Sequence, residues 1–253
     1  MSKALILAVC NEKGGVGKTS ITANAGAGIA RHGKKVLLVD CDPQNHLAWF
    51  LGVREKIDVG LGDKLLDQDN KFPLGNFIIP TGRPGLDVLP AGNSLPLAIR
   101  EISKRMIAPE QALAEAMVGA VQQYDYILLD VKPTWDPFTV NCMMFVSGLI
   151  CPLHMDWPSV DSLGKLIQHM APSQKYNKEL SIRLLVPNQY DAREVTPRKI
   201  LSGLKDKLGD KVCEPIRKSV KIRDASGAGK SIYEWDEEVA QDLERVVQQL
   251  LRI

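Results

Sequence analysis

A glycine-rich loop with a lysine at each end lies near the start of this 253-residue sequence. Its residues are, in order, Lys13, Gly14, Gly15, Val16, Gly17, Lys18, Thr19 and Ser20. The apolar run at residues 4–9 has the length of a strand, and residues 19–31 are rich in alanine and isoleucine, as in a helix. A strand, a glycine loop and a helix in this order direct several backbone N–H groups at one anion. The sequence therefore predicts a phosphate-binding loop with a nucleoside triphosphate as its ligand.

The lysines and the threonine of this loop have separate expected roles. Lys18 should neutralise the β- and γ-phosphates, and the Thr19 hydroxyl should ligate Mg²⁺ directly. Lys13 is unusual because an ordinary phosphate loop needs no second lysine ahead of its glycines. A cation at this position cannot easily bend back over its own loop. It can, however, reach the phosphates of a nucleotide that a facing subunit holds.

Acidic residues end two further apolar runs. Asp40 and Asp42 follow the run at residues 36–39, and Asp130 follows the run at residues 126–129. Alternation along a strand places Asp40 and Asp42 on one side of its carboxyl end, where open α/β sheets bind ligands. We expect Asp40 and Asp130 to contact the magnesium ion through water. Alternative readings are that Asp42 starts a turn before Pro43 and that Asp130 caps the next segment.

The order of the remaining elements predicts an α/β fold, a doubly wound and mainly parallel sheet with helices on both faces. A composition of 45% hydrophobic and 25% charged residues suits a globular protein, and the absence of linkers or repeats favours a single domain over residues 1–253. The predicted elements after Asp42 are loops at 72–96 around a strand at 86–89, a helix at 97–121, the strand at 126–130, a helix at 137–146, a strand at 148–153, a helix at 159–170, a strand at 182–186, a helix at 194–208, a short strand around Val212 and a helix at 236–251.

Cysteine spacing and hydropathy narrow the class of protein. The five cysteines have no Cys-x-x-Cys spacing, which favours small core residues of a reduced cytosolic protein over iron–sulfur or zinc ligands. No segment approaches the roughly 20 apolar residues of a membrane span, and the N-terminal run leads into the phosphate loop rather than into a signal-peptide cleavage site. We therefore expect a cytoplasmic protein.

Positive charge is concentrated in one stretch of the sequence. Residues 193–230 contain eleven Lys and Arg against five Asp and Glu, whereas the whole chain has a net charge of only +2. Such a cluster is typical of a surface that binds phosphate backbones, although it can also be a solvated face. The final helix begins with acidic residues and has apolar residues at core spacing, which argues against a membrane-binding tail.

On these motifs the chain resembles the ParA/MinD family of deviant Walker A ATPases, and within it the partition ATPases of the ParA/Soj type. The resemblance implies a homodimer that encloses two ATP molecules with Mg²⁺, in which Lys13 of each protomer reaches the nucleotide of the other. It assigns catalytic roles to Lys13 and Lys18, which stabilise charge, and to Asp42, which orients the attacking water. Pro187 and Asn188 lie where the family places a loop over adenine, and Asn188 could pair with the base edge; Pro-Asn is also an ordinary turn.

The same resemblance extends to two segments that contact DNA in ParA-type proteins. Residues 190–193 and 216–225 are similar to these segments, which implies that Arg193 and Lys221 bind nonspecific DNA with help from Lys218 and Arg223. Because the phosphate loop begins so early, we expect no N-terminal helix-turn-helix domain ahead of it.

One part of the active-site region departs from the family pattern. Family members usually continue Asp-x-Pro-Pro after the second acidic strand, whereas Lys132 and Trp135 follow Asp130 in this chain. Family roles are therefore not transferred to residues 132–136.

The resemblance implies a function in which the ATP-bound dimer binds nonspecific DNA and is released when a partner stimulates slow hydrolysis. The partner would be a ParB-like or cargo-adaptor protein, and the cargo a plasmid, a chromosome or another structure. The protein would then be associated with the nucleoid and not with a membrane. Two alternatives stay open: a MinD-like membrane-associated regulator and an ATP-dependent metabolic enzyme of the same fold.

Overall fold

A seven-stranded sheet forms the centre of the protein in a computed structural model that describes residues 4–55, 57–67 and 69–253. Its strands are β1 (Leu5–Val9), β2 (Val36–Cys41), β3 (Ile79–Arg83), β4 (Leu86–Leu89), β5 (Tyr126–Val131), β6 (Gly148–His154) and β7 (Ile182–Asn188). They lie in the order β3-β4-β2-β5-β1-β6-β7, and all neighbouring pairs are parallel except β3 with β4. The predicted mainly parallel, doubly wound sheet is confirmed.

Helices cover both faces of this sheet. Within the described residues they are α1 (Lys18–Arg31), α2 (Leu47–Phe50), α3 (Leu61–Leu66), α4 (Leu95–Ile102), α5 (Ala112–Ala116), α6 (Pro137–Phe145), α7 (Trp157–Gln174), α8 (Val195–Leu208), α9 (Lys221–Gly227) and α10 (Glu237–Leu250). Alternate residues of β2 belong to two separate buried clusters, Leu37 to the one beneath α3 to α8 and Leu38 to the one beneath α1 and α10. Burial on both faces explains why the central strands are almost continuously apolar.

Two parts of the predicted element order are wrong. The helix expected at 97–121 is interrupted: α4 ends at Ile102, and a 3-10 turn at Pro109–Gln111 precedes α5. Ala108, just before this turn, has a φ of 45°, and Pro109 supplies no N–H for a continuing helix. The strand expected around Val212 is a single parallel bridge to Leu185.

The region predicted as loops around one strand contains a second strand, β3. This strand lies at the edge of the sheet, pairs antiparallel with β4, and includes Pro80. Gly85 lies in the turn between the two strands with a φ of 75°, and Gly82, with a φ of 78°, lies where the register of β3 shifts. Proline and a polar pattern are tolerated in edge strands, so the sequence carried little strand signal here. The short helices α2, α3 and α9 were also not predicted.

The carboxyl ends of the central parallel strands meet at one edge of the sheet. Asp40 of β2 and Val9 of β1 both align with Asp130 of β5. The glycine loop leaves β1 at this edge and leads into α1, so the fold brings the predicted phosphate loop to both acidic strand ends. None of the helices that the structure describes is long and apolar enough to cross a bilayer.

The close approach of α3 to the start of α4 predicts how two glycines respond to substitution. A Cβ atom on Gly62 would lie 2.2 Å from the backbone nitrogen of Leu95, which cannot move without displacing α4. Gly164 lies in α7 and is exposed, with nothing within 4 Å of the same position. We expect Gly62→Ala to lower the free energy of unfolding by about 1–3 kcal/mol. Urea denaturation measures this change.

Gly164→Ala is the matched control for this substitution. It relieves the entropic cost of a mid-helix glycine and should raise the free energy of unfolding by up to about 1 kcal/mol. Equal effects of the two substitutions would contradict the close packing of α3 against α4.

Candidate nucleotide-binding site

The glycine loop is shaped for an anion at the N-terminus of α1. Gly15 and Gly17 have φ values of 76° and 94°, a conformation that favours glycine. Gly17 is the N-cap of α1, and no side chain caps the first N–H groups of the helix. A Cβ atom on Gly14 or Gly15 would meet nothing within 4 Å, so there is open space above the loop. A phosphate group would satisfy these N–H groups and the positive end of the helix dipole.

Lys18 is the buried cation of this loop. Only 8% of the residue is exposed, and its Nζ donates to the main-chain oxygen of Lys13 at 3.4 Å. Burial lowers the pKa of Lys18, while the nearby carboxylates of Asp130 and Asp42 raise it. The side chain is therefore bonded to its own loop, with carboxylates of the strand ends nearby, where it can neutralise the phosphates of a nucleotide in the same protomer.

Asp130 and Thr19 form the part of the site that fits a magnesium ion. Asp130 is buried, and its Oδ1 has no hydrogen-bond partner among the described residues. Burial raises the pKa of Asp130 to about 7, an effect that the neighbouring Thr19 and Lys18 oppose. The described residues include no cluster of three or more His, Cys, Asp or Glu side chains suited to a metal. Magnesium commonly binds through one or two carboxylates together with substrate phosphates and water, so this sparse set of donors is suitable.

The sequence predicts that Asp40 faces a metal-bound water, but in the structure both of its carboxylate oxygens bond to backbone N–H groups. The carboxylate is fully buried, with Oδ1 accepting the N–H of Asp42 at 3.0 Å and Oδ2 accepting the N–H of Leu47 at 2.9 Å. Burial and the charge of Asp130 raise the pKa of Asp40. These contacts tie the start of α2 to the end of β2. Contact with a metal-bound water stays a prediction, and so does the catalytic role of Asp42, whose Oδ1 accepts the N–H of Gln44.

Lys13 points away from its own loop. Its Nζ lies 2.9 and 2.8 Å from the two carboxylate oxygens of Asp156 and donates to the Ser159 hydroxyl at 2.9 Å. Asp156 is also the N-cap of α7. Burial alone would raise the pKa of Asp156, but the hydrogen bonds from Lys13 and Ser159 bring it to about 2. Sequence reasoning missed this pair, since a helix cap before Trp157-Pro158 was the only local signal that Asp156 gave.

A cavity of about 240 Å³ adjoins the phosphate loop on the side of β7. Its wall includes Gly17 and Asn188, together with Phe50 from α2 and Ile222 from α9. The Asn188 side chain donates to the main-chain oxygen of Val16 at 2.8 Å and accepts the N–H of Gln189 at 2.9 Å. Asn188 thus supports the phosphate loop directly. The roles of Pro187 and Asn188 towards adenine stay predictions.

Comparisons with known proteins agree with this geometry. A family model described as an AAA domain, AAA_31, matches residues 4–182. The sporulation initiation inhibitor protein Soj of Bacillus subtilis is 34% identical and aligned over 91% of each chain. The chromosome partitioning protein ParA of Caulobacter vibrioides is 31% identical, covering 91% of this chain and 87% of its own. The chain is a P-loop ATPase of the ParA/Soj type.

A solved structure extends the comparison to the ligands of this fold. The cobyrinic acid a,c-diamide synthase of Mycobacterium smegmatis, with a bound ATP analogue and magnesium, superimposes with a TM-score of 0.81 and 26% sequence identity. The match covers 98% of this chain and 95% of the synthase. Binding of nucleotide and magnesium is therefore found among structural relatives of this ParA/Soj-type ATPase.

The structure brings the two predicted DNA-contacting segments together. Tyr190 forms a parallel bridge with Arg217, and the N–H of Lys218 donates to the main-chain oxygen of Tyr190 at 3.1 Å. This pairing places the loop that carries Arg193 beside the segment that leads into α9. Lys221 and Arg223 are exposed residues of α9. We call the exposed side chains of Arg193, Lys218, Lys221 and Arg223 the basic surface.

Acidic side chains of the same protomer neutralise part of this basic surface. Arg193 pairs with Asp191 at 2.6 Å, and Lys221 pairs with Asp236, the N-cap of α10, at 2.5 Å. Lys218 and Arg223 make no ion pair with the residues that the structure describes. The ParA/Soj-type chain therefore presents two basic groups openly and holds the other two against its own carboxylates.

The segment that departs from the family pattern contacts α7 through Trp135. Lys132 pairs with Asp136, the N-cap of α6. The rings of Trp135 and His169 pack at a tilt of 38° with centroids 5.4 Å apart, and Nδ1 of His169 lies 2.6 Å from a carboxylate oxygen of Glu12. Residues 132–136 are thus connected to the residue just ahead of Lys13, which the sequence alone did not indicate.

Asn188 donates a hydrogen bond to Val16 of the phosphate loop. Substitution of Asn188 should therefore weaken the binding of phosphate groups, and not only the recognition of the base. Asn188→Ala removes a buried hydrogen bond to the loop, which should weaken binding by about tenfold. Isothermal titration with ATP and with inorganic tripolyphosphate, both with magnesium, measures the effect. We expect a similar loss for both ligands. A loss confined to ATP would instead indicate that Asn188 acts through the base.

Proposed function

We propose that this protein is a partition or positioning ATPase that dimerises around two ATP molecules, binds DNA without sequence preference and leaves the DNA after hydrolysis. The observation that carries the proposal is the separation of the two loop lysines. Lys18 lies within its own loop, whereas Lys13 is directed to the surface beside the start of α7. A second lysine with this orientation is of little use to its own nucleotide but is available to a nucleotide in a facing protomer.

The ion pair between Lys13 and Asp156 is compatible with such an exchange. The two side chains are 28% and 43% exposed, and ion pairs at partly exposed positions contribute little net free energy. The phosphates of a facing nucleotide carry more negative charge than a single carboxylate. We therefore expect Lys13 to leave Asp156 when two ATP-bound protomers associate.

In the proposed hydrolysis of ATP to ADP and phosphate, a few residues have separate roles. Lys18 neutralises the β- and γ-phosphates of its own nucleotide, and Lys13 of the partner subunit adds positive charge as the bond to the γ-phosphate breaks. Asp42 orients the attacking water. Thr19 would hold a magnesium ion directly and Asp130 would hold it through water, and the ion would add charge neutralisation on the phosphates.

The basic surface supports the proposed affinity for DNA. Its four cations come from two segments that the Tyr190 to Arg217 bridge holds side by side. Arg193 is 90% exposed, so its pair with Asp191 is solvated and can give way to a DNA phosphate. Contacts of this kind recognise the phosphate backbone and not the bases, and their affinity falls as salt rises.

A metabolic ATP-dependent enzyme is the second candidate function. The synthase from Mycobacterium smegmatis supports it, since it shares the fold at 26% identity. Such an enzyme would turn over with a small-molecule substrate and would not need a basic surface. A MinD-like regulator would instead bind liposomes in the presence of ATP.

The proposed function predicts nucleotide-dependent binding to DNA. In a gel-shift assay with a nonspecific duplex, the protein should bind with ATP and magnesium but not with ADP, and Lys18→Ala should abolish binding. Asp42→Ala should keep nucleotide affinity and stay on DNA because hydrolysis is blocked. Binding that is indifferent to the nucleotide would refute the mechanism, and rapid turnover without DNA would favour the metabolic enzyme.

The basic surface predicts a change in salt dependence for single substitutions. Arg193→Ala and Lys221→Ala should each weaken DNA binding and reduce the slope of log affinity against log salt by about one, because each removes one phosphate contact. Lys165→Ala is the matched control, since Lys165 is an exposed lysine of α7 paired with Asp161 and lies outside the basic surface. An equal effect of all three substitutions would indicate a nonspecific response to net charge.

A further inference from the structure

Arg83 joins the segment that leaves the nucleotide site to the turn that follows α9. Its side chain is 18% exposed at the end of β3, and each nitrogen of the guanidinium group donates a hydrogen bond. Nη1 donates to the main-chain oxygen of Leu51 at 2.7 Å, Nη2 to that of Gly229 at 3.0 Å, and Nε to a carboxylate oxygen of Glu234 at 2.8 Å. We propose that Arg83 is a positioning residue that transmits the nucleotide state to α9; this inference rests on the proposed function.

The two joined segments also touch through their backbones. A Cβ atom on Gly52 would lie 2.6 Å from the main-chain oxygen of Gly229, and one on Gly229 would lie 2.5 Å from the Cα of Gly52. Both glycines have positive φ values, 79° and 68°. Because the two backbones are in direct contact at these glycines, a movement of one segment must displace the other or break the contact.

The first segment begins at the nucleotide site. Asp40, which is aligned with Asp130 on the neighbouring strand, accepts the N–H of Leu47 at the start of α2. Helix α2 has only four residues, and Leu51 follows it directly. A change in charge or position at the strand ends is therefore carried by one short helix to the Leu51 oxygen that Arg83 binds.

The second segment carries part of the basic surface. Gly229 lies two residues beyond the end of α9, the helix that bears Lys221 and Arg223. Glu234 fixes the following turn by accepting the N–H and the hydroxyl of Ser231 at 2.8 and 2.6 Å. Arg83 thus holds the segment that follows α9 at two points, Gly229 and Glu234.

The turn has a second attachment, which keeps it folded without Arg83. Asn24 of α1 accepts the N–H of Ile232 at 2.7 Å and donates to the main-chain oxygen of Ser20 at 2.8 Å. Substitution of Arg83 should therefore loosen the link between α2 and α9 while the turn stays attached to α1. Only the planar guanidinium group can satisfy all three partners at once, since its donors have fixed directions.

In this arrangement the ATP-bound and ADP-bound proteins differ in how firmly α9 is held. A displacement of residues 42–52 on loss of the γ-phosphate moves the Leu51 oxygen relative to Gly229. The hydrogen bonds of Arg83 then cannot all persist, and the basic side chains of α9 lose their fixed position. A contact of Arg83 that forms in one nucleotide state and breaks in the other would couple the nucleotide site to α9.

Hydrogen–deuterium exchange of the full chain, with and without a nonhydrolysable ATP analogue and magnesium, tests this inference. In the unsubstituted protein, nucleotide should change exchange at residues 42–54 and at residues 221–231. In Arg83→Ala, the response of 42–54 should remain and that of 221–231 should fall by at least about half. The ratio of DNA affinities with ATP and ADP should fall by at least about fivefold, the lower end of the usual range for coupling between two sites.

Two further variants control this experiment. Arg105→Ala removes an arginine that pairs with Glu115 away from both segments, and it should preserve both exchange responses. Arg83→Lys retains the charge but not the three directed bonds, and should give an intermediate response with a melting temperature close to that of the unsubstituted protein.

The outcomes separate this inference from the proposed function. A normal response of 221–231 in Arg83→Ala, or no response there in the unsubstituted protein, overturns the role of Arg83. If the unsubstituted protein binds no DNA with ATP, the proposed function fails, and the exchange data alone decide whether Arg83 couples the nucleotide site to α9.

Discussion

The structure depends on a mutual neutralisation of charges at the carboxyl ends of β1, β2 and β5. Lys18, Asp40 and Asp130 are each almost completely buried there, and burial disfavours the charged form of all three. None of these groups could be kept at this depth alone, because an unpaired buried charge is strongly destabilising. Together with the open backbone N–H groups of the loop, they form a site whose donor and acceptor groups fit phosphate and a divalent cation. The parallel sheet is what brings them together, since its strands end at the same edge.

The sequence alone predicted those parts of the site that are formed by residues close together in the chain. The phosphate loop, the strand before it and the acids that end β2 and β5 lie where their motifs predicted, because each motif includes the residues that fix its own conformation. Contacts between distant segments carried no such signal. Lys13 and Asp156 are 143 residues apart, and nothing near either residue indicates the other. The edge strand β3 and the interrupted helix before α5 were missed for a related reason, because proline and exposed polar residues are permitted at a sheet edge and in turns.

Composition alone predicted the positive charge of the basic surface but not how that charge is arranged in the fold. Counting charges identified a positive stretch, but not that acidic residues of the same chain neutralise Arg193 and Lys221 in the folded protein. Nor did it indicate that Ile222 and Arg223, on the same helix as Lys221, line the cavity beside the phosphate loop. The fold therefore places a wall of the candidate nucleotide site and part of the candidate DNA surface on one short helix. This proximity gives a physical basis for any dependence of one ligand on the other.

The pairing of Lys13 with Asp156 has a consequence for how two protomers meet. Each protomer already carries an internal counter-ion for the lysine that it would offer to its neighbour, so this residue contributes little to long-range attraction in solution. In the proposed dimer, association would then be governed by a short-range exchange of anionic partners, carboxylate for phosphate, after the two faces have come into contact. A protomer without nucleotide would lack the phosphate groups that replace the carboxylate in that exchange. Encounters between such protomers would therefore remain brief.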